Sequence, residues 1–180
     1  MGDSAQEDTQ RWRSVPGAIL PYGRQTISDA DIAAVTDTLR SDWLTQGPNV
    51  GEFERKVAER CGAKHAVAVS NGTAALHVAM QSLGLKLGDR LWTSPNTFAA
   101  SANCARFCGA DVDFVDIDPR TYNMSVEALA AKLEASERDG TLPTVVVPVH
   151  FSGQPCELKV IAKLADRYGF AVVEDASHAI

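Results

Sequence analysis

Three short segments of this 180-residue chain carry side chains that could do chemistry together. In one, the apolar run at 170–173 leads into Glu174-Asp175-Ala176-Ser177-His178. Such a run reads as a buried parallel strand. Asp175 then stands at the strand's carboxyl end, the edge where open α/β sheets place their ligands. A carboxylate there can pair with a protonated ring nitrogen; it can also cap a strand-to-helix turn. In the second segment, Ala66-Val67-Ala68-Val69-Ser70 reads as another strand running into Asn71-Gly72-Thr73-Ala74-Ala75-Leu76-His77, the start of an amphipathic helix. Free N–H groups and the positive end of the helix dipole favour an anion at such a point. Gly72 lets the backbone approach closely, and Thr73 offers a hydroxyl. In the third, the apolar run at 91–94 precedes Pro95-Asn96-Thr97-Phe98. Phe98 could stack on a flat ring at the same sheet edge, or pack into the core. A phosphate cradle, a stacking ring and a ring-nitrogen carboxylate, in that order, describe a pocket for pyridoxal phosphate.

Positioning these groups takes an alternating framework, and the chain supplies one. Ser28 should cap a helix running to about Arg40, with Asp29 and Asp31 in its first turn. A loop through Gly47-Pro48 leads to a second helix at about 50–61. Strands are then expected at about 66–69, 90–94, 112–115, 144–149 and 171–174. The helices between them are expected at about 73–83, 99–107, 125–136 and 157–168, with Ser125 as N-cap of the third. Strand–helix alternation implies an α/β fold: a mostly parallel sheet with right-handed crossovers, covered by helices on both faces as a three-layer sandwich. The expected organisation is a mobile amino terminus at 1–14, a helical segment at 15–62 and a sheet domain at 63–180.

Composition narrows the function classes. The net charge of -6 lacks the basic footprint of a nucleic-acid binder. No apolar run approaches the length of a membrane span, and MGDSAQEDTQRWRS has no apolar signal core. These features point to the cytoplasm. Cys61, Cys104, Cys108 and Cys156 show no paired ligand spacing, so no metal site is expected and free thiols are the better reading. Cys104 and Cys108 are one helical turn apart and could share a face. The six lysines (Lys56, Lys64, Lys86, Lys132, Lys159, Lys163) fall on expected helices or their flanking turns, where a solvated charge is the expected role. A dinucleotide-binding domain would share the alternation, but SNGTAALH is not the G-x-G-x-x-G fingerprint. His65 and His77 read as structural.

The chain resembles the amino-terminal half of a fold-type I pyridoxal-phosphate aminotransferase of the DegT/StrS group, which acts on nucleotide-linked keto sugars. The resemblance is carried by ILPYGRQ at 19–25, SDWLTQGP at 41–48, SNGTAAL at 70–76, SPNTF at 94–98, VPVHFSGQP at 147–155 and EDASHA at 174–179. SDWLTQGP and WTSPNTFAASANC are most similar to the branch that makes the 4-amino altrosamine precursor of pseudaminic acid. The resemblance implies transfer of an amino group from glutamate to the C4 keto group of a UDP-linked 4-keto-6-deoxy-N-acetylhexosamine. It implies that Asp175 keeps the pyridine nitrogen protonated and that His178 sits near the cofactor's phenolic oxygen or helps hold Asp175. Thr73 and Ala74, after Gly72, would hold the phosphate through their backbone. Phe98 and Ser177 would enclose the ring from its two faces. Trp43, Thr45 and Gln46 would form a substrate-side lid, and His150 would face the pocket; the segment from Tyr22 to Gln25 would be pocket or dimer contact.

The same resemblance implies a homodimer and a cofactor-bearing Schiff-base lysine beyond the aspartate motif. None of the six lysines occupies that slot, so the chain is expected to be an incomplete large domain, inactive alone. A non-catalytic fragment or interaction module, or a sugar dehydratase with histidine in the lysine's place, are the alternatives. In this fold two later strands separate 66–69 from 171–174, so the strand at 66–69 is expected to lack its neighbours.

Overall fold

The computed structural model describes residues 25–179. The expected mobile terminus at 1–14 and the contact residues Tyr22, Gly23 and Arg24 lie outside the described residues. The chain divides into two compact units, one reaching Asn49 and one starting at Val50.

In the first unit, helix α1 spans Asp29–Arg40. Ser28 caps it as expected. The Ser28 Oγ accepts the Asp31 N–H at 3.3 Å, and the Asp31 carboxylate accepts the Ser28 N–H at 2.8 Å. This reciprocal box satisfies two amides that the helix start would otherwise leave open. No residue of α1 is buried. Ile32, Val35 and Leu39 are all more than half exposed. Helix α2, Pro48–Cys61, of which all but the first two residues belong to the second unit, begins on a proline, whose fixed φ suits a first helical position.

In the second unit a four-stranded sheet forms the centre. Its strands are β1 (Arg90–Thr93), β2 (Asp111–Phe114), β3 (Val145–Val147) and β4 (Ala171–Val172), in the order β2-β1-β3-β4. All three pairings are parallel. Between them run α3 (Gly72–Ser82), α4 (Ala100–Phe107), α5 (Val126–Asp139) and α6 (Leu158–Tyr168). Side-chain alternation along each strand builds two cores. Trp92 and Val146 pack with Leu129, Leu133 and Ile161 from α5 and α6. Leu91, Val145 and Val147 pack with Met80 of α3 and Cys104 of α4. The expected three layers are therefore present. Ser125 caps α5, accepting the Ala128 N–H at 3.1 Å. Gly140 and Gly169 end α5 and α6 at φ 65° and 79°, a left-handed step that glycine makes without a Cβ clash.

The structure corrects several expectations. Residues 66–69 pair with no strand among the described residues. Val67 is 76% exposed; among the described residues only the Ala68 N–H is bonded to another element, to Glu54 Oε1 of α2 at 2.8 Å. A β-branched run marks strand preference, but a strand exists only where a partner completes its ladder. The segment does not pair with β4, as the resemblance implied. β1, β3 and β4 are shorter than expected, β2 keeps its expected length but starts one residue earlier, and β3 is prolonged by a single bridge from Val149 to Asp175.

Lys132 is not a free surface charge. Its Nζ meets Asp113 Oδ2 at 2.7 Å and the Phe114 carbonyl at 2.6 Å, and lies 4.7 Å from the Trp92 ring centre. Burying the aliphatic stem against an indole while the head reaches a carboxylate uses both ends of the side chain. Cys104 is fully buried, whereas Cys108 falls past the end of α4 and is half-buried. All four cysteines are free.

Candidate active site at the carboxyl edge of the sheet

The main chain of Asp175 extends the β3–β4 ladder. Its N–H donates to the Pro148 carbonyl at 2.9 Å, and its carbonyl accepts the His150 N–H at 3.1 Å. These bonds hold the side chain, 8% exposed, at the carboxyl edge of the sheet. Oδ2 accepts the Ser101 hydroxyl at 2.6 Å. Oδ1 accepts the Ser177 hydroxyl at 2.7 Å and the Ser177 N–H at 3.3 Å. The last bond is the turn cap that the sequence left open as an alternative. A cap alone does not account for Ser101, a fully buried residue of α4 that reaches the other carboxylate oxygen. An ionised carboxylate offers about four acceptor positions, so a further donor can be taken.

Ser101 was not legible as a site residue. The available signal was its spacing: it follows Thr97 and Phe98 by one helical turn, so α4 carries it to the face those residues begin. Ser101 Oγ also lies 2.7 Å from Thr97 Oγ1. The single Ser101 proton goes to Asp175, so Thr97 is the donor between the two hydroxyls.

The start of α3 lies against the same turn. A Cβ added at Gly72 would stand 3.4 Å from Ser177 Oγ, in van der Waals contact with it. Two segments a hundred residues apart thus meet at the sheet edge. Asn71 caps α3, its Oδ1 accepting the Ala74 N–H at 2.8 Å, and the Asn71 carbonyl accepts the Ala75 N–H at 3.0 Å. This corrects the expected cradle: the Ala74 amide is already committed. The Gly72 and Thr73 amides have no acceptor among the described residues and are the ones available to an anion.

Phe98 is 77% exposed, which removes the alternative of core packing. Its carbonyl accepts the Ser101 N–H at 3.1 Å, so one turn of chain places the ring and the Asp175 partner together. Ser177 and His178 lie on the exposed turn after Asp175. The His178 ring makes no hydrogen bond among the described residues, so it does not hold Asp175; the two serines do. The His178 carbonyl would come within 2.7 Å of a Cβ at Gly153 (φ 84°), so that glycine lets the two loops touch.

His150 is not brought into the site. It is 4% exposed, its Nδ1 accepts the Cys156 N–H at 3.2 Å, and its Nε2 meets Glu174 Oε2 at 2.9 Å. With Nδ1 accepting, the proton sits on Nε2 and donates to Glu174. Both ring nitrogens are satisfied within the protein. Trp43, Thr45 and Gln46 belong to the first unit, in the bend between α1 and α2, where Gln46 has φ 53°. A Cβ at Gly47 would meet Trp43 Cβ at 2.7 Å, so this bend requires glycine there.

Burial above all pushes the Cys104 thiol up to about 11, with the nearby Asp175 charge adding to it. Among the described residues, no group of three or more side chains is arranged to hold a metal ion. No helix there is long and apolar enough to cross a membrane.

The donor set fits a phosphorylated pyridine: open amides at a glycine-led helix start, a buried carboxylate with acceptor capacity left, and an exposed aromatic ring one helical turn from the serine that holds that carboxylate. Comparison with known proteins agrees. The profile of the DegT/DnrJ/EryC1/StrS aminotransferase family matches residues 25–180. The spore coat polysaccharide biosynthesis protein SpsC of Bacillus subtilis is 45% identical over 161 residues, covering 89% of this chain and 40% of SpsC. A DegT/DnrJ/EryC1/StrS aminotransferase from Brucella abortus superposes with a TM-score of 0.79 at 36% identity, over 83% of this chain and 40% of that one. NtdA of Bacillus subtilis, solved with the cofactor PMP bound, superposes with a TM-score of 0.73 at 26% identity, over 83% of this chain and 33% of NtdA. The chain spans about 40% of the length of SpsC and of the Brucella enzyme, over their amino-terminal part. It belongs to the DegT/DnrJ/EryC1/StrS family of sugar aminotransferases, which are pyridoxal-phosphate dependent.

Proposed function

We propose that residues 63–180 are the cofactor-holding part of an enzyme that aminates a nucleotide-linked keto sugar, with 15–62 as its helical amino-terminal segment. The proposed reaction moves an amino group from glutamate to C4 of a UDP-linked 4-keto-6-deoxy-N-acetylhexosamine, for a pseudaminic acid-type sugar. The observation that carries this reading is the Asp175 carboxylate. It is buried, held by Ser101 and Ser177, and set against the Gly72 helix start. The wording of SDWLTQGP and WTSPNTFAASANC supports the sugar and donor. The likeness to SpsC supports polysaccharide synthesis as the context.

When bound, pyridoxal phosphate supplies an electron sink for the substrate carbon that loses its proton. The chain's own residues have separable tasks. The Gly72 and Thr73 amides, at the positive end of α3, bind the phosphate. Asp175 accepts the ring N–H, and its negative charge keeps that nitrogen protonated. Phe98 and Ser177 would enclose the ring from its two faces. His178, on the exposed turn, would serve the phenolic oxygen. Trp43, Thr45 and Gln46 are assigned to the substrate side. A homodimer in the cytoplasm completes the proposal.

The test uses protein expressed from the complete gene, loaded with pyridoxal phosphate and given glutamate and the UDP-keto sugar. Mass analysis should show the amino sugar. Asp175→Asn should lower kcat/KM about 100-fold or more, because a neutral amide cannot hold the ring nitrogen protonated. Near-normal turnover in that variant would reduce Asp175 to a turn cap. Loss of water from the sugar without amination would identify a dehydratase instead.

A further inference from the structure

We propose that Ser101, backed by Thr97, is the positioning residue of the Asp175 carboxylate. This rests on the reading of Asp175 as the partner of the cofactor's ring nitrogen. Ser101 is fully buried, and its hydroxyl donates to Asp175 Oδ2 at 2.6 Å. That length is typical of an O–H group bonded to an ionised oxygen, among the stronger hydrogen bonds in proteins. The Thr97 hydroxyl, 2.7 Å behind, fills a Ser101 lone pair and leaves the Ser101 proton no competing acceptor.

The turn after Asp175 does not require this bond. Ser177 supplies both its hydroxyl and its amide to Oδ1, and that satisfies the cap. Ser101 comes from a different element, α4, and engages the oxygen the cap leaves alone. Beneath it, the Cys104 thiol donates to the Ser101 carbonyl at 3.3 Å, and Cys104 is fully buried. Among the described residues no other side chain donates to Oδ2. Without Ser101 the carboxylate is held at one oxygen only and can turn about its Cβ–Cγ bond. With both oxygens held, its plane is set before the ring arrives. Preorganisation of this kind is what a charged hydrogen bond to a ligand needs.

The experiment uses the protein expressed from the complete gene, with pyridoxal phosphate carrying ¹⁵N at the pyridine position. The readouts are cofactor affinity and the pH at which the bound nitrogen loses its proton, read from its chemical shift. Ser101→Ala should weaken binding about 10-fold and lower that pH by about one unit. Ser101→Thr should restore affinity to within about threefold of wild type, because the hydroxyl returns. Ser101→Cys, nearly isosteric but a weak donor, should resemble Ser101→Ala. Wild-type affinity and nitrogen shift in Ser101→Ala would overturn the proposal. If Ser101→Ala fails to fold by circular dichroism, the Thr and Cys variants decide: identical behaviour of the two overturns it. Asp175→Asn separates this from the parent reading. A protonated nitrogen in Asp175→Asn sinks the assignment of Asp175 itself. A shifted nitrogen there with a silent Ser101→Ala sinks only the role of Ser101.

Discussion

Residues 145–147 and 66–69 are both short apolar runs containing β-branched valines, yet only the first is a strand. Val145, Val146 and Val147 are fully buried between β1 and β4. Val67 is 76% exposed and Val69 39%, and their segment pairs with no strand among the described residues. The difference lies in neighbours rather than in composition. β3 sits at the sheet's centre, where its even and odd residues enter opposite cores. The 66–69 segment has the same preference and no ladder to join. Strand propensity is a fit to a pleated, half-buried surface, and that surface must be supplied by other residues.

The sharpest way to break this comparison is to place a charge in each run. Val146→Asp buries an unpaired carboxylate among Trp92, Leu129 and Ile161, and should cost about 5 kcal/mol or more, enough to unfold a small domain. Val67→Asp should change stability by no more than about 0.5 kcal/mol, as at an ordinary surface position. Urea unfolding followed by circular dichroism distinguishes the two. Comparable losses at both positions would mean that 66–69 is packed after all.

The thiols give a second contrast. Cys61 ends α2, just before the exposed segment, and is itself exposed; Cys104 lies in the core with Val145 and Val147. Burial pushes the Cys104 and Cys156 thiols from 9.0 up to about 11. At pH 8, iodoacetamide should label Cys61 first and reach Cys104 and Cys156 only after unfolding, as read by mass spectrometry. The sign of the pH effect follows. Folding favours the protonated thiol, so this stabilisation is complete below pH 9 and is lost as pH rises from about 9 to about 11. Rising stability across that window would contradict the burial of both thiols.

The smallest expected effect sharpens the comparison inside the exposed run. Among the described residues, Ala68 alone of that run donates its amide to another element, to Glu54. Glu54→Ala should speed hydrogen exchange at Ala68 by up to about 10-fold, with little change at Val67 or Val69, and cost at most about 1 kcal/mol of stability. Exchange at Val146 should stay slow in both proteins.

The same division between local preference and available neighbours separates what was legible in the sequence from what was not. Short-range physics was readable. Ser28 and Ser125 cap their helices because a hydroxyl beside an open amide needs only a few residues to act. The alternation of strands and helices announced the parallel three-layer fold. Asp175 follows an apolar run, so its place at the sheet edge was readable too. Side chains answered by distant elements were not. His150 could face ligand or protein; the Cys156 amide and Glu174 decide for protein. Lys132 looked solvated until Asp113 and Trp92 were brought beneath it. Ala74 sits in the cradle motif, yet Asn71 takes its amide. Ser101 is one serine among several along the chain, and only the tertiary packing that brings α4 to the carboxyl edge of the sheet turns its hydroxyl toward Asp175. By itself the sequence determined the helices, the caps at Ser28 and Ser125 and the order in which the site's segments arrive. Which strands pair, which faces meet and which two oxygens share a proton were decided by tertiary structure, because each depends on residues tens of positions away that local preference cannot sense.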